Sequence, residues 1–422
     1  MLFQTPFGMT RRHFMSHMLG ASAMVGASLA MNHTLASAAA TLRANNKRCI
    51  LMWMGGGPST IDIWDMKPGA ATGGPFKPIR TTGDVEICEH MPLTAQLMDR
   101  LSIVRNMSTR EADHDRGRYY MHTGYVPNPN VQHPSYGSVI AHELAEYRKE
   151  LEIPPFVSIG GGSEGPGFLG MSWAPFNVDA NGRIRDLEMS VNEARLQRRL
   201  SSLKMLETNF ISENRGAAAA EHAKVLDKTL QLMTSQQMSA FNVAQEPPAV
   251  AERYGQTNFG RSCLLARRLV EANVPFVEVN LGGWDNHDNI FPTLQDQRLP
   301  ELDKGMSALV QDLYERGLWD DTVVLWMGEF GRTPRINGNT GRDHWARCWS
   351  VVVGGGGIKG GIAVGKTNED GTQVDGPSYS SEDLMASVCQ AMGISLSTTF
   401  QSSNGRPMKI ANGGKVIKEL FS

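Results

Sequence analysis

The chain is 422 residues long, 41% hydrophobic and 20% charged, a balance that argues against a disordered polymer or a fibrous repeat. Lys+Arg 41 against Asp+Glu 43 gives a formal net charge of -2, so nothing electrostatic points to nucleic acid as a partner. Cys49, Cys88, Cys263, Cys348 and Cys389 are widely spaced with no C-x-x-C pair, which argues against a disulfide scaffold or a thiolate zinc site and predicts buried free thiols.

Thr10-Arg11-Arg12-His13-Phe14-Met15, a weakly apolar run from Met18 to Met31 and Ala36-Ser37-Ala38 have the layout of an export signal. The paired arginines with Phe14 behind them resemble the twin-arginine (Tat) signal. The resemblance implies that 1–40 are a signal peptide read by the Tat export machinery and that 41–422 work in the periplasm or outside the cell. The apolar run falls short of a span of about 20 residues, so no stable membrane span is expected after cleavage.

Short runs at Cys49–Met54, Leu101–Asn106, Pro155–Ile159, Pro275–Leu281, Thr322–Met327 and Trp349–Val353 read as strands, several of them continuous apolar runs as expected of strands covered on both faces. Gly260–Ala272 and Asp303–Arg316 read as helices feeding the strands that follow them, which predicts an α/β fold with a largely parallel sheet. Between about 188 and 245, Leu196, Leu200, Leu203, Leu206 and Phe210, then Val225, Leu226, Leu230 and Met233, fall at helical spacing. They predict a helical hairpin joined through 215–220 and inserted into one main domain, packing on the sheet or over a cleft.

Polar clusters flank these runs. Gly55-Gly56-Gly57-Pro58-Ser59 follows the first strand, with Asp62 and Asp65 behind it, and fits neither the dinucleotide fingerprint nor the P-loop. Asp113-His114-Asp115-Arg116-Gly117-Arg118 and His122 follow the second. Asp285 and His287 follow the fourth, Glu329 follows the fifth, and Asp343 and His344 precede the sixth. Loops at the carboxyl ends of parallel strands share one edge, so these side chains can converge. Carboxylates and imidazoles without thiolates suit Zn²⁺ or Mn²⁺, with Ca²⁺ or Mg²⁺ less favoured by histidine. Such an ion polarises a phosphoryl or sulfuryl oxygen and acidifies bound water. Asp285, His287, Glu329, Asp343 and His344 are the expected ligands, and Asp62, Asp113 and His122 are additional candidates. Ser59 and Ser135 are the serines to weigh for a hydrolase, although neither lies in G-x-S-x-G.

G-G-P-S-T-I-D at 56–62, Y-Y-M-H-T-G-Y at 119–125, C-L-L-A-R-R-L-V-E-A at 263–272, G-G-W-D-N-H at 282–287, M-G-E-F-G-R-T-P at 327–334 and G-R-D-H-W at 341–345 resemble an exported bacterial family known only as domain of unknown function 1501. That family is grouped with the alkaline phosphatase/sulfatase fold, which implies a mixed, largely parallel sheet with a metal site on one edge. H-D-R-G-R-Y-Y-M-H-T-G at 114–124 is similar to the sulfatase nucleophile segment, and the resemblance puts His114 at the nucleophile position and Arg118 on the arginine. Gly55 or Gly56 stands where sulfatases and phosphatases carry a first-strand Asp, and Phe330 stands where a second ligand His would be. The resemblance therefore implies a metal-dependent hydrolase of small-molecule or polysaccharide sulfate or phosphate esters. In it His114 is a ligand, nucleophile or acid/base, and Arg118 neutralises the oxyanion. The alternative is a non-catalytic exported binding or assembly protein that retains the fold.

Overall fold

A computed structural model describes residues 46–184, 192–212, 226, 229–233 and 235–421. The predicted signal peptide and the 215–220 joint lie outside these residues.

The central sheet has eight strands: β1 (Arg48–Gly55), β2 (Leu101–Met107), β3 (Phe156–Ile159), β4 (Phe176–Val178), β5 (Phe276–Gly282), β6 (Thr322–Met327), β7 (Trp349–Gly354) and β8 (Ala363–Val364). Their order is β8-β2-β7-β6-β1-β5-β3-β4. β1 lies between β5 and β6 and runs parallel to both, with Cys49 opposite Phe276 on one side and Val323 on the other. β7 alone runs against its neighbours β6 and β2. All six runs expected as strands are strands, and the two opening prolines, Pro155 and Pro275, fall just outside their ladders. Proline has no N–H to give a ladder, so it marks where pairing starts.

Helices cover both faces, as the unbroken burial of β1 and β6 requires. The longer helices among the described residues are α1 (His114–Thr123), α2 (Tyr136–Leu144), α3 (Glu193–Ser212), α4 (Asn258–Glu271), α5 (Leu299–Glu315) and α6 (Ser381–Met392). α5 begins four residues earlier than the sequence suggests, because Pro300 suits a first helical turn, where an N–H has no partner anyway. α4 and α5 are tied by Arg267, 1% exposed, which pairs with Glu246 (2.6 Å), Glu271 (2.5 Å) and Asp312 (3.0 Å). Residues 47–422 form one compact unit.

Of the helical insertion, α3 is present, with Leu196, Leu200 and Leu203 of its stripe half-buried and Leu206 exposed at 60%. The second run is helical at 229–233, and 236–241 and 243–245 are 3-10 turns instead of a continued helix. Phe241 of the first turn packs on Phe176 at the sheet's edge (6.2 Å between rings). All five cysteines are buried and free. Among the described residues, no helix is long and apolar enough to cross a membrane.

Candidate metal centre

Because β7 is reversed, its start meets the carboxyl ends of β1, β2, β3, β5 and β6 at one edge. The polar loops gather there. β1 ends in the Gly55–Gly57 turn, where Gly56 has φ +114 and a Cβ would stand 2.5 Å from the Asp285 nitrogen. Only glycine tolerates both. Its N–H donates to Glu329 Oε1 (2.9 Å), fixing the carboxylate that closes β6. After β2, Asp113 caps α1 by accepting from the Arg116 N–H (3.1 Å), which puts His114 in the first turn facing β6. A short antiparallel ladder pairs Arg332 with His344 and Gly331 with Trp345, carrying His344 to the same point.

Three imidazoles surround one carboxylate oxygen. Asp285 Oδ1 is 3.3 Å from His114 Nε2, 3.0 Å from His287 Nε2 and 3.3 Å from His344 Nε2, and the last two nitrogens are 3.1 Å apart. Each ring is held from behind through Nδ1: His114 by Glu329 Oε1 (2.6 Å), His287 by Asp343 Oδ1 (2.8 Å) and His344 by the Ala112 carbonyl (2.8 Å). A carbonyl or carboxylate only accepts, so each Nδ1 carries a proton, and in the neutral ring that leaves the lone pair on Nε2. Carboxylate or carbonyl support behind the ring is the arrangement that metal-ligating histidines use. Phe330, fully buried, walls the cluster with its ring 5.0 Å from that of His114 and 4.8 Å from that of His344.

The donors fit a divalent cation. A four-coordinate ion with bonds of about 2.0–2.1 Å has neighbouring donors about 3.3 Å apart. The separations around Asp285 match that edge, and the ligand atoms of His114, Asp285 and His344 all lie within 4.8 Å of one another. His114 Nε2 is buried and has no hydrogen-bond partner, and the same holds for Glu329 Oε2.

The charges are arranged accordingly. Burial alone would raise the Asp285 carboxyl, but the Arg332 hydrogen bond (2.5 Å) and charge pull it down to about 2. The hydrogen bond to Glu329 raises His114, and that to His287 lowers Asp343.

The expected residues therefore divide. Asp285, His287 and His344 meet, and His114 joins them. Glu329 Oε1 and Asp343 Oδ1, from two of the residues expected as ligands, engage ring Nδ1 atoms and orient the histidines, while Glu329 Oε2 is buried without a hydrogen-bond partner. Arg118 lines a cavity of about 490 Å³ shared with His114, Asp285 and Glu329, and there its Nε lies 2.9 Å from Glu164. Asp62 stands apart: it is buried, clamped by Arg342 (2.7 and 2.8 Å) and accepts from Ser59 Oγ (2.6 Å). Asp113 is occupied as a helix cap. His122 is buried under Trp53, donating to the Arg118 carbonyl and lying 3.4 Å from Glu278. Ser135 is the buried cap of α2, and Ser59 is committed to Asp62, so neither is an exposed nucleophile. Arg332 and Arg342, quoted in the sequence clusters without a role, are fully buried organisers of the edge. An arginine flanked by polar residues gives no sequence signal of burial.

Solved structures similar to this one are remote. They include a protein in the alkaline phosphatase superfamily from Vibrio parahaemolyticus, with 11% identity and a TM-score of 0.40, the match covering 89% of this chain and 70% of that one. Another is the PsFucS1 sulfatase from Pseudoalteromonas sp., with 11% identity, a TM-score of 0.39 and coverage of 83% and 68%. A third is the phosphonate monoester hydrolase SpPMH from Silicibacter pomeroyi, with 13% identity, a TM-score of 0.35 and coverage of 89% and 76%. No curated protein matches the chain. Residues 46–421 match the family described as "Protein of unknown function (DUF1501)", and the chain belongs to that family.

Proposed function

We propose that this protein is an exported, metal-dependent hydrolase of phosphate or sulfate esters. The observation that carries the reading is the set of Nε2 lone pairs, each fixed by an acceptor on Nδ1, gathered around Asp285 Oδ1 at the mouth of a polar cavity. His114, Asp285 and His344 hold the ion, with His287 beside them. When bound, a divalent ion polarises the ester oxygen and acidifies water at neutral pH; Zn²⁺ or Mn²⁺ suits this nitrogen-rich set better than Ca²⁺ or Mg²⁺.

The chain's own residues do the rest. Glu329 and Asp343 keep the imidazoles in one tautomer and one orientation. Arg118, on the cavity wall near the Gly160–Gly162 turn, offers a planar guanidinium to an oxyanion in exchange for its contact with Glu164. The cavity is lined by Gly, Trp, Asn, Arg, Asp, Glu and His, with no hydroxyl or thiol among them. This lining favours direct attack by water over a covalent intermediate on Ser, Thr or Cys. In the reaction the ester bond breaks, water supplies the new oxygen, and the alcohol leaves with a proton.

The test is turnover by the metal-reconstituted protein of a panel of aryl sulfates, phosphomonoesters and phosphodiesters, with Asp285→Ala and His344→Ala as controls. Turnover lost in both variants supports the reading. Silence across all substrates and metals overturns it and leaves a binding or assembly module. For export, replacing Arg11 and Arg12 by lysine should retain the protein in the cytoplasm; unchanged export would remove the Tat assignment.

A further inference from the structure

The Y-Y-M-H-T-G-Y stretch at 119–125 contributes no donor to the metal centre. Tyr120 and Tyr125 instead line a second cavity, of about 700 Å³, at the opposite end of α1. Small-ligand sites usually measure roughly 300–1,000 Å³. Along α1, His114 and Gly124 are separated by about 15 Å at the helical rise, and the two cavities share no lining residue.

The walls of this cavity are fixed by named contacts. Tyr119 OH accepts from the His133 N–H (2.8 Å) and lies 2.8 Å from His133 Nδ1, and His133 stacks flat on Tyr125 (4.0 Å between rings, 5° between planes). Burial, then the Glu382 charge, push the Tyr125 phenol up to about 12 against the Arg406 charge, so it stays neutral and donates to the Lys409 carbonyl (3.2 Å). Tyr120 OH donates to Glu382 Oε2 (2.5 Å). The Asn412 amide donates to the Gly124 carbonyl (3.0 Å) and stands 3.5 Å from Glu382 Oε1. Ala411 and Asn412 have φ of +49 and +48, left-handed backbone that alanine rarely adopts; strain of this kind collects at ligand clamps. Arg406 and Lys409 are exposed on the rim, and among the described residues no carboxylate pairs with either.

This lining suits a ligand with an anionic group for the two cations, hydroxyls for Glu382 and Asn412, and a C–H face for the Tyr125 ring. A sugar acid has all three. An extended peptide would need a row of backbone donors, yet the strand on this wall, Pro407–Lys409, opens on a proline with no N–H. We infer that the cavity between α1, the start of α6 and the 399–409 ladder is a binding site for an acidic saccharide. The inference goes beyond the metal-site reading and does not rest on it.

The test is calorimetric titration of the full mature chain, with and without EDTA. The probes are a trisaccharide of galacturonic acid, its carboxyl-reduced neutral counterpart and triglutamate. The acidic trisaccharide should bind equally well in both conditions, and the neutral one about tenfold more weakly. Tyr125→Leu, and the exposed pair Arg406→Ala/Lys409→Ala, should each weaken the acidic trisaccharide by about tenfold. If Tyr125→Leu does not fold, the exposed pair decides. No binding at millimolar concentration, or an affinity unchanged in the exposed pair, overturns the inference. Binding abolished by EDTA places the sugar at the metal centre and also overturns it, as does triglutamate binding as tightly as the trisaccharide.

Discussion

At the scale of single residues, the site divides donors from the groups that aim them. Asp285 and the imidazole Nε2 atoms face a common point, whereas Glu329 and Asp343 act one bond further out. Glu329→Gln should therefore bind metal roughly 10–100-fold more weakly without unfolding, since support of this kind typically contributes that much. Titration calorimetry or competition with a chromophoric chelator would check this, and unchanged affinity would mean that Glu329 does not orient His114. Asp62 makes the opposite kind of claim. It and Arg342 are both buried, at 1% and 0% exposure, and removing one leaves the other charge uncompensated. Asp62→Ala should cost about 3–5 kcal/mol of stability, measurable by denaturant unfolding. A loss below about 1 kcal/mol would contradict the assignment of Asp62 to the scaffold. The sequence made the residue types legible but not this sorting. Asp62, Glu329 and Asp343 all follow or flank strand-like runs. Which carboxylate meets an arginine and which an imidazole depends on contacts between positions as far apart as 62 and 342.

Among the elements, hydrophobic patterning carried the strands well, because β1 and β6 are buried on both faces and leave unbroken apolar runs. Helix α3 shows the reach of patterning: helical spacing of leucines reports amphipathicity, not what the apolar face meets, and Leu206 is exposed where Leu196, Leu200 and Leu203 are half-buried. The short ladder of Gly331–Arg332 with His344–Trp345 was also illegible, since two-residue strands carry no period. The α4–α5 junction yields a pH prediction. Burial acts to raise Glu246 and Asp312, but hydrogen bonds and charges from Arg267 and Arg268, and from Arg316 and Tyr254, more than offset it and hold both carboxyls below their ordinary values. A carboxyl depressed in the folded state contributes stability that is present above its unfolded value and lost as pH falls through its folded one. Thermal stability should therefore drop as pH falls from about 5 towards about 3. Arg267→Met should flatten that dependence as well as lower the melting temperature near neutrality. If its pH profile ran parallel to that of wild type, the junction would not be the source.

For the molecule as a whole, the parallel sheet with one reversed strand explains how residues from 114 to 344 share an edge. That architecture was foreseeable from helix–strand alternation, and the gathering of loops followed from it. The resemblance implied a mixed sheet, but that β7 is the reversed strand could not be read from its apolar run, which reads the same in either direction; it is this reversal that brings His344 to the edge from the loop before its strand. A metal held by loops from several strands should also stabilise the entire unit. Saturation at about a hundred times the dissociation constant corresponds to about 2.7 kcal/mol, so chelation should lower the melting temperature by several degrees. An identical melt with and without chelator would mean that the native state binds no ion.

The most direct measurement is X-ray diffraction at the zinc absorption edge from crystals of the reconstituted protein. An anomalous peak is expected about 2.0–2.2 Å from His114 Nε2, Asp285 and His344 Nε2, with Glu329 and Asp343 still on the outer ring nitrogens. A peak elsewhere, or none at that edge while His114 Nε2 stays unliganded, would contradict it.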